Sequence, residues 1–288
     1  EAVVDARYGY EKTFHQSSKA FKTGVKKVFK LLTKEGYSLR ATADHKIMTP
    51  NGYIPLGELK RGDKVHILNR KGGFGTKGSL KLGRTLGWLV GDGHINNYAN
   101  RVVLSFFGEE QSLAPMFAEY VNEFAAPLTN SDRKTYEISA VPVKGRAETR
   151  VNSERFYQVA VEHGLGENKL QVPDSVYKGS ENMQRGFLQA LFSADGTVYD
   201  AEYKGIDIRL TSVSLELLEG VQRLLINFGI ASRIYLNRRK AQTRMLPDGK
   251  GGLKEYSCQA YHELNISNKT LPSLSNKSVS CKIPNRKS

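Results

Sequence analysis

The sequence has no run of about eighteen apolar residues, the length a membrane-spanning helix needs, and no signal-peptide pattern at its start, so it reads as a soluble, intracellular, cytoplasmic chain with no membrane partner. It has two cysteines, Cys258 and Cys281, without metal-ligand spacing, which excludes a zinc module and a disulfide scaffold. It is also short of acid: 29 Asp and Glu stand against 43 Lys and Arg, a formal charge of +14. Such a surplus favours a polyanionic partner and is shared by ribosomal, nucleic-acid-binding and membrane-surface proteins. At 288 residues and 39% hydrophobic, the chain can build two or three cores.

What is present is a stretch that occurs twice. Thr85-Leu86-Gly87-Trp88-Leu89-Val90-Gly91-Asp92-Gly93 returns in altered form within Gly186-Phe187-Leu188-Gln189-Ala190-Leu191-Phe192-Ser193-Ala194-Asp195-Gly196. Gly87 and Gly91 in the first copy, and Ala190 and Ala194 in the second, lie four apart and so share one helix face. Two such smooth strips allow close helix packing, and each helix ends in an Asp followed by a Gly able to terminate it. Asp92 and Asp195 then sit side by side at the end of one seam, where paired carboxylates invite a hard divalent cation.

The repeat continues beyond the helices. Each copy is followed by a short strand, a polar turn, a strand (Val102–Phe107 and Ile206–Thr211) and a helix expected over 109–124 and 215–228. A further strand pair is expected in each: 134–140 with 148–151, and 231–236 with 261–266. The copies are about a hundred residues apart, the size of a small domain, which makes the chain a monomer with an internal pseudo-two-fold axis.

The paired motifs, the αββαββ order and the spacing resemble the double-motif LAGLIDADG homing endonucleases over residues 81–288, divided here into halves 81–178 and 179–288. The resemblance implies an α+β fold of two pseudo-symmetric subdomains forming a saddle over double-stranded DNA. It also implies Mg²⁺, with Mn²⁺ able to substitute, held by Asp92 and Asp195 beside Gly91 and Ala194, and Mg²⁺-dependent cleavage of both strands of a long asymmetric target. A basic residue near the centre after each unit's last strand falls on Lys169, within the segment His163–Pro173, and in the second half on Lys277, with Lys269 and Lys282 competing for that place.

Residues 1–80 lie outside the repeat and read as strands and turns: Val25–Leu32, a Lys34-Glu35-Gly36 turn, Tyr37–Ala41 and a Pro50-Asn51-Gly52 turn. The stretch from Ala41 to Val65 resembles the middle of a Hedgehog/intein-type splicing domain, with Thr42 and His45 matching its T-x-x-H pair as a vestige of the splicing site. LAGLIDADG endonucleases commonly reside in inteins, so the two resemblances support one another. The chain begins with Glu1 and ends with Lys287-Ser288 rather than the splicing nucleophile and the His-Asn pair, so it is not expected to splice alone; a complementary intein fragment is a candidate partner. Residues 68–80, with four glycines and basic residues, read as a flexible basic linker.

Strand alternation turns every second side chain toward a bound duplex. The candidate DNA contacts are Arg133, Lys134, Lys144, Arg146 and Arg150 in the first half, and Arg209, Asn237, Arg238, Arg239, Lys240, Gln242 and Arg244 in the second. Rival readings are a maturase or regulator that binds nucleic acid on this fold without cutting it, and a split-intein piece whose main task is peptide rearrangement.

Overall fold

The computed structural model describes residues 2–5, 13–16, 21–67, 72–125, 137–201, 205–247 and 252–267. The chain opens with short antiparallel pairs, as the turn pattern predicts: β1 (Ala2–Asp5) with β2 (Thr13–Gln16), β3 (Val28–Leu32) with β4 (Ser38–Thr42), and β5 (Lys46–Thr49) with β6 (Gly52–Pro55). Ile47 and Leu56 are buried, but Val28, Phe29, Leu32 and Leu39 stay exposed, so β3–β6 bury little apolar surface among themselves.

The β3–β4 pair leans instead on the far end of the chain. The turn between β3 and β4 places the Glu35 carbonyl where Ile234 N–H (2.9 Å) and Gln222 Nε2 (3.0 Å) donate to it, and the Tyr37 hydroxyl accepts from Ser232 N–H at 3.1 Å. Gly36 makes the approach possible: its φ is +98°, and a Cβ there would lie 3.0 Å from the Ile234 Cβ. Gly36→Val combines a disallowed backbone conformation with that contact. It is expected to lower stability by about 1–3 kcal/mol, read from the urea unfolding midpoint.

The segment read as a flexible linker is tied down over its described part, 72–79. Gly72 N–H donates to Asn227 O (2.7 Å), Gly75 N–H to Gly179 O (3.0 Å) and Ser180 N–H to Lys77 O (2.7 Å), while Phe74 packs on Phe228 with ring centroids 5.3 Å apart. A Cβ on Gly75 would overlap the Lys178 carbonyl. Glycine here serves close approach of two backbones, not freedom of one, which is why composition alone misread it.

Two helix–sheet units follow. In the first, α1 (Leu80–Val90) leads to β7 (Gly93–Asn96), β8 (Arg101–Phe107), a 3-10 turn (Gly108–Leu113), α2 (Ala114–Phe124), β9 (Ala140–Pro142), β10 (Glu148–Ser153), α3 (Arg155–Glu162) and α4 (Asp174–Tyr177). In the second, α5 (Glu181–Asp195) leads to β11 (Gly196–Ala201), β12 (Gly205–Ser212), α6 (Leu215–Asn227), β13 (Arg233–Arg239), the hairpin β14 (Gln242–Pro247) and β15 (Leu253–Cys258), and β16 (Tyr261–Ser267). Both four-stranded sheets are antiparallel with the same order, first-second-fourth-third: β7-β8-β10-β9 and β11-β12-β16-β13.

The predicted helix from Glu109 starts as the 3-10 turn and becomes α-helical at Ala114, because Pro115 sits in the first α turn, where its missing N–H costs nothing. Of the strand expected over 134–140, residues 134–136 lie outside the described residues, 137–139 are not in a strand, and only Ala140 is, as the first residue of β9. The sequence reading assigned nothing to α3, although Ser153 Oγ accepts from Phe156 N–H (2.9 Å) as a cap and Phe156 and Ala160 are spaced four apart and buried.

Alternation along β8 buries Val102, Leu104 and Phe106 against α1 and α2. There Trp88, Phe106 and Phe117 pack with centroids 4.7–5.3 Å apart, and Trp88 Nε1 donates to Ser105 O at 2.9 Å. The second unit buries Leu210, Leu264 and Ile234 under Leu217, Leu218, Val221 and Leu224 of α6. Through α1 and α5 the two sets form one continuous core. Among the described residues no helix is long and apolar enough to cross a membrane.

Candidate active centre and nucleic-acid interface

The seam between α1 and α5 is a backbone-to-backbone contact. A Cβ on Gly83 would overlap the Met183 carbonyl, and one on Gly186 the Leu80 carbonyl; the same two atoms would then stand 3.0 Å from Phe187 N and Arg84 N respectively. Gly83 and Gly186 hold equivalent positions in the repeat, as do Met183 and Leu80, so the two contacts mirror one another. A Cβ on Gly87 would overlap Phe187 O, and one on Gly91 would meet the Ala194 Cβ at 2.7 Å. The strip predicted from Gly87, Gly91, Ala190 and Ala194 therefore extends one turn further through Gly83 and Gly186, a continuation the same four-residue spacing carried. Arg84 bridges the seam, donating from Nε (3.2 Å) and Nη2 (3.1 Å) to Gln189 Oε1.

The helix ends differ from expectation. α1 closes at Val90 with Gly91 as its cap and Asp92 in the following turn, whereas α5 runs through Asp195 and leaves directly into an extended Gly196 (φ −79°, ψ 153°). Neither Gly93 nor Gly196 ends its helix in the left-handed conformation. Each is small because a Cβ would overlap the carbonyl one turn back, Leu89 O and Phe192 O, again equivalent positions. The seam brings the two motif ends together: the Asp195 Oδ2 lies 3.4 Å from where a Cβ on Gly91, the residue before Asp92, would stand. Asp195 is exposed and Asp92 half-buried.

Lys169 reaches this point from the segment after α3. That segment is held by Asn97 Nδ2 donating to Gly166 O (2.8 Å), Leu170 N–H to Asn168 Oδ1 (2.9 Å) and Gln171 Nε2 to Gly164 O (2.9 Å). The Lys169 ammonium donates to Gly93 O (2.7 Å), Gly91 O (2.9 Å) and Val90 O (3.1 Å), with Leu89 O at 3.5 Å sharing a proton. It caps the negative end of the first motif helix and satisfies carbonyls that have no partner within the helix. Burial pulls its pKa below the ordinary lysine value, against the opposing pull of the Asp195 and Asp92 charges. Lys169→Met leaves these carbonyls short of donors. It is expected to cost about 2 kcal/mol in a urea denaturation series, the scale of losing charge-assisted bonds, with Lys169→Arg losing less.

Among the described residues no cluster of three or more His, Cys, Asp or Glu is placed to hold a metal. Two carboxylates and nearby carbonyls suit a hard, oxygen-seeking cation that keeps several waters and completes its shell with a substrate phosphate. Gly91 O, one of the predicted neighbours of the metal, is taken by Lys169; the Ala194 Cβ faces Gly91. Lys277 lies outside the described residues.

The basic candidates spread along the two sheets rather than converging. In the first, buried Glu148 grips Arg150 (Nε 2.5 Å) and lies 3.7 Å from Arg146, with Arg150 pulling the Glu148 carboxyl below its usual range against its burial; Lys144 is exposed in the β9–β10 turn. Arg133 and Lys134 lie outside the described residues. In the second, Arg209 sits on β12, and Asn237 (φ +47°) marks an irregularity in β13 where its N–H donates to His262 Nδ1 at 3.1 Å. Arg238 approaches Glu263 at 3.5 Å, and Arg239 lies over the Tyr261 ring. Lys240, Gln242 and Arg244 are exposed on or beside the β14 ribbon. Sequence reasoning missed Arg233, Asn265, Tyr199 and Tyr235, although strand alternation could have found them: Arg209 pairs with Asn265 and Asn265 with Arg233 across the outward side of the sheet whose inward row is Leu210, Leu264 and Ile234.

In the N-terminal pairs, Thr42 ends β4 and its carbonyl accepts from His45 N–H at 3.1 Å, while the Thr42 hydroxyl holds the Asp44 carboxyl below its usual pKa.

Comparison with known proteins gives four findings. The chain is 29% identical over 254 residues to the ribonucleoside-diphosphate reductase NrdEB subunit alpha of Bacillus subtilis, covering 84% of this chain and 23% of that one. It is 27% identical over 259 residues to the tRNA-splicing ligase RtcB of Methanopyrus kandleri, covering 71% and 26%, so the chain spans about a quarter of the length of these relatives. The homing endonuclease I-DmoI in complex with DNA and Mn aligns with 66% of this chain and 90% of its own at 22% identity and a TM-score of 0.40. Residues 182–274, which hold α5, the second sheet and the Asp195 end of the seam, match the LAGLIDADG-like domain.

Proposed function

We propose that this chain is an intein-borne, site-specific endonuclease that hydrolyses both strands of a long, asymmetric double-stranded DNA target with Mg²⁺. The observation that carries it is the Lys169 ammonium at one end of a glycine-packed seam, hydrogen-bonded to the carbonyls of Val90, Gly91 and Gly93 and in the field of both the Asp92 and the Asp195 charges. In this reading residues 81–178 and 179–288 are the two halves of the nuclease, their sheets form a saddle on the duplex, and the chain acts as a monomer.

Asp92 and Asp195 hold the cation, which supplies Lewis-acid polarisation of a phosphodiester and a nucleophilic water at neutral pH. Each acid comes from a different half, as two antiparallel strands require. Neither has to act as a base. Lys169 fixes the end of α1, and so the backbone that carries Asp92, while adding positive charge where a phosphate gains negative charge. Lys277 is the proposed counterpart in the second half. Phosphate and base contacts are spread over Arg133, Lys134, Lys144, Arg146, Arg150, Arg209 and the run from Asn237 to Arg244.

The placement within an intein rests on residues 1–80, where Thr42 and His45 keep the spacing of a splicing site, and on the relatives. Most of the chain, 84% and 71%, aligns with a reductase subunit and with a tRNA-splicing ligase, about a quarter of each. A module shared by proteins whose names describe unrelated chemistry fits an inserted element better than a shared activity. Incubating the full chain with a randomised duplex library and Mg²⁺, then sequencing the ends, tests the reading. One long asymmetric site cut only when Mg²⁺ is present supports it; salt-dependent binding without cutting replaces it with a non-cleaving nucleic-acid binder.

A further inference from the structure

Building on that reading, we infer that Arg209 and Arg233 select guanines in the half-site bound by the second sheet, at the positions nearest the cleavage centre. Thr197, two residues after Asp195, pairs with Arg209; Arg209 pairs with Asn265, and Asn265 with Arg233. The four residues thus form one straight row across β11, β12, β16 and β13. The adjoining row, Gly196, Leu210, Leu264 and Ile234, puts three buried apolar side chains into the core, so the Arg209 row turns the other way, to the open face. It is the first outward row after Asp195.

The two arginines are held but not spent. The Arg209 guanidinium lies over the Tyr199 ring (5.1 Å to the centroid), and its Nη2 meets Asp207 Oδ2 at 3.3 Å; Arg233 lies over Tyr235 at 4.8 Å. Among the described residues, the Nε of each is buried without a hydrogen-bond partner, and Arg233 makes no ion pair. A guanidinium stacked on a ring keeps its planar fork in one orientation with donors left over. Two strand spacings separate the pair by about 10 Å, within the roughly 12 Å width of a major groove. A fixed fork in that groove matches the O6 and N7 acceptors of guanine, and a lysine cannot reproduce the match. The equivalent row of the first sheet has His94, Val103 and Asn152, with no arginine, so the preference belongs to one half-site only.

The experiment is binding of a randomised duplex library, selected and sequenced for the wild-type full chain and for Arg209→Lys and Arg233→Lys, in Ca²⁺ to prevent turnover. The wild type is expected to show guanine preferences on one side of the centre. Each Lys variant is expected to lose one of them by about ten- to hundred-fold while keeping the remaining positions, the salt dependence and the thermal midpoint. Variants that weaken binding evenly and keep every preference overturn the inference, because the arginines then contact phosphate alone. A specific wild-type site without those guanines overturns it while leaving the nuclease reading intact, whereas no duplex binding at all removes both.

Discussion

Asp92→Asn and Asp195→Asn are each expected to reduce duplex cleavage by about a thousand-fold or more, the scale of losing a principal electrostatic group from a reaction centre. The change keeps the shape of the side chain while replacing one anionic oxygen by a neutral amide NH2, so what is lost is the affinity of an oxygen site for a divalent cation. Binding of the duplex should stay within a few-fold, since it is distributed over many arginines and lysines on two sheets. The thermal midpoint of either variant should stay close to that of the wild type, since the repulsion relieved between the two acids is offset by the attraction to the Lys169 ammonium that is lost. Measured together, cleavage, binding and melting separate a metal-holding pair from a structural one. A pair that merely caps helices would lose stability on substitution and leave the cleavage rate of the folded fraction unchanged.

Gly87→Ala is expected to be the more damaging change to the fold. Helix propensity alone favours alanine by about 1 kcal/mol. Against that, the new Cβ overlaps the backbone oxygen of Phe187, which cannot swing aside as a side-chain tip can. The neighbouring contacts at Gly83 and Gly186 hold the same two backbones at the same separation, so relief requires the whole helix pair to part. Overpacking of this kind costs about 1–3 kcal/mol, which outweighs the propensity gain, and parting the helices also separates Asp92 from Asp195. Cleavage should therefore fall further than the loss of folded protein explains, with urea unfolding as the measure of the latter. A Gly87→Ala chain more stable than the wild type would show that the seam is looser than described.

The seam, its two acids and the repeated helix–strand–strand–helix order were legible because each depends on local spacing: residues four apart on a helix, residues two apart on a strand, and an Asp-Gly pair at each helix end. What was not legible depends on what a residue meets from elsewhere in the chain. The glycines at 72, 73, 75 and 78 look like a tether by composition, yet Gly72 and Gly75 donate to backbone carbonyls of α6's last residue and of the turn before α5. Lys169 could be nominated from its segment, but its four carbonyl partners come from residues 89–93, and no pattern in 163–173 announces them. Gly36 reads as an ordinary turn glycine until Ile234 is placed against it. Arg233 was passed over for a different reason: the eye goes to the dense run at Arg238-Arg239-Lys240, whereas strand register sets Arg233, not its crowded neighbours, in line with Arg209.

The most direct test of the account is to locate the cation. Crystals of the full chain bound to the duplex recovered by library selection, grown with Mn²⁺ and measured at its absorption edge, should show anomalous density between the Asp92 and Asp195 carboxylates at the end of the α1–α5 seam. Density elsewhere on the protein, or none at the seam while DNA is bound across both sheets, would contradict the assignment of these two acids as the metal-holding centre.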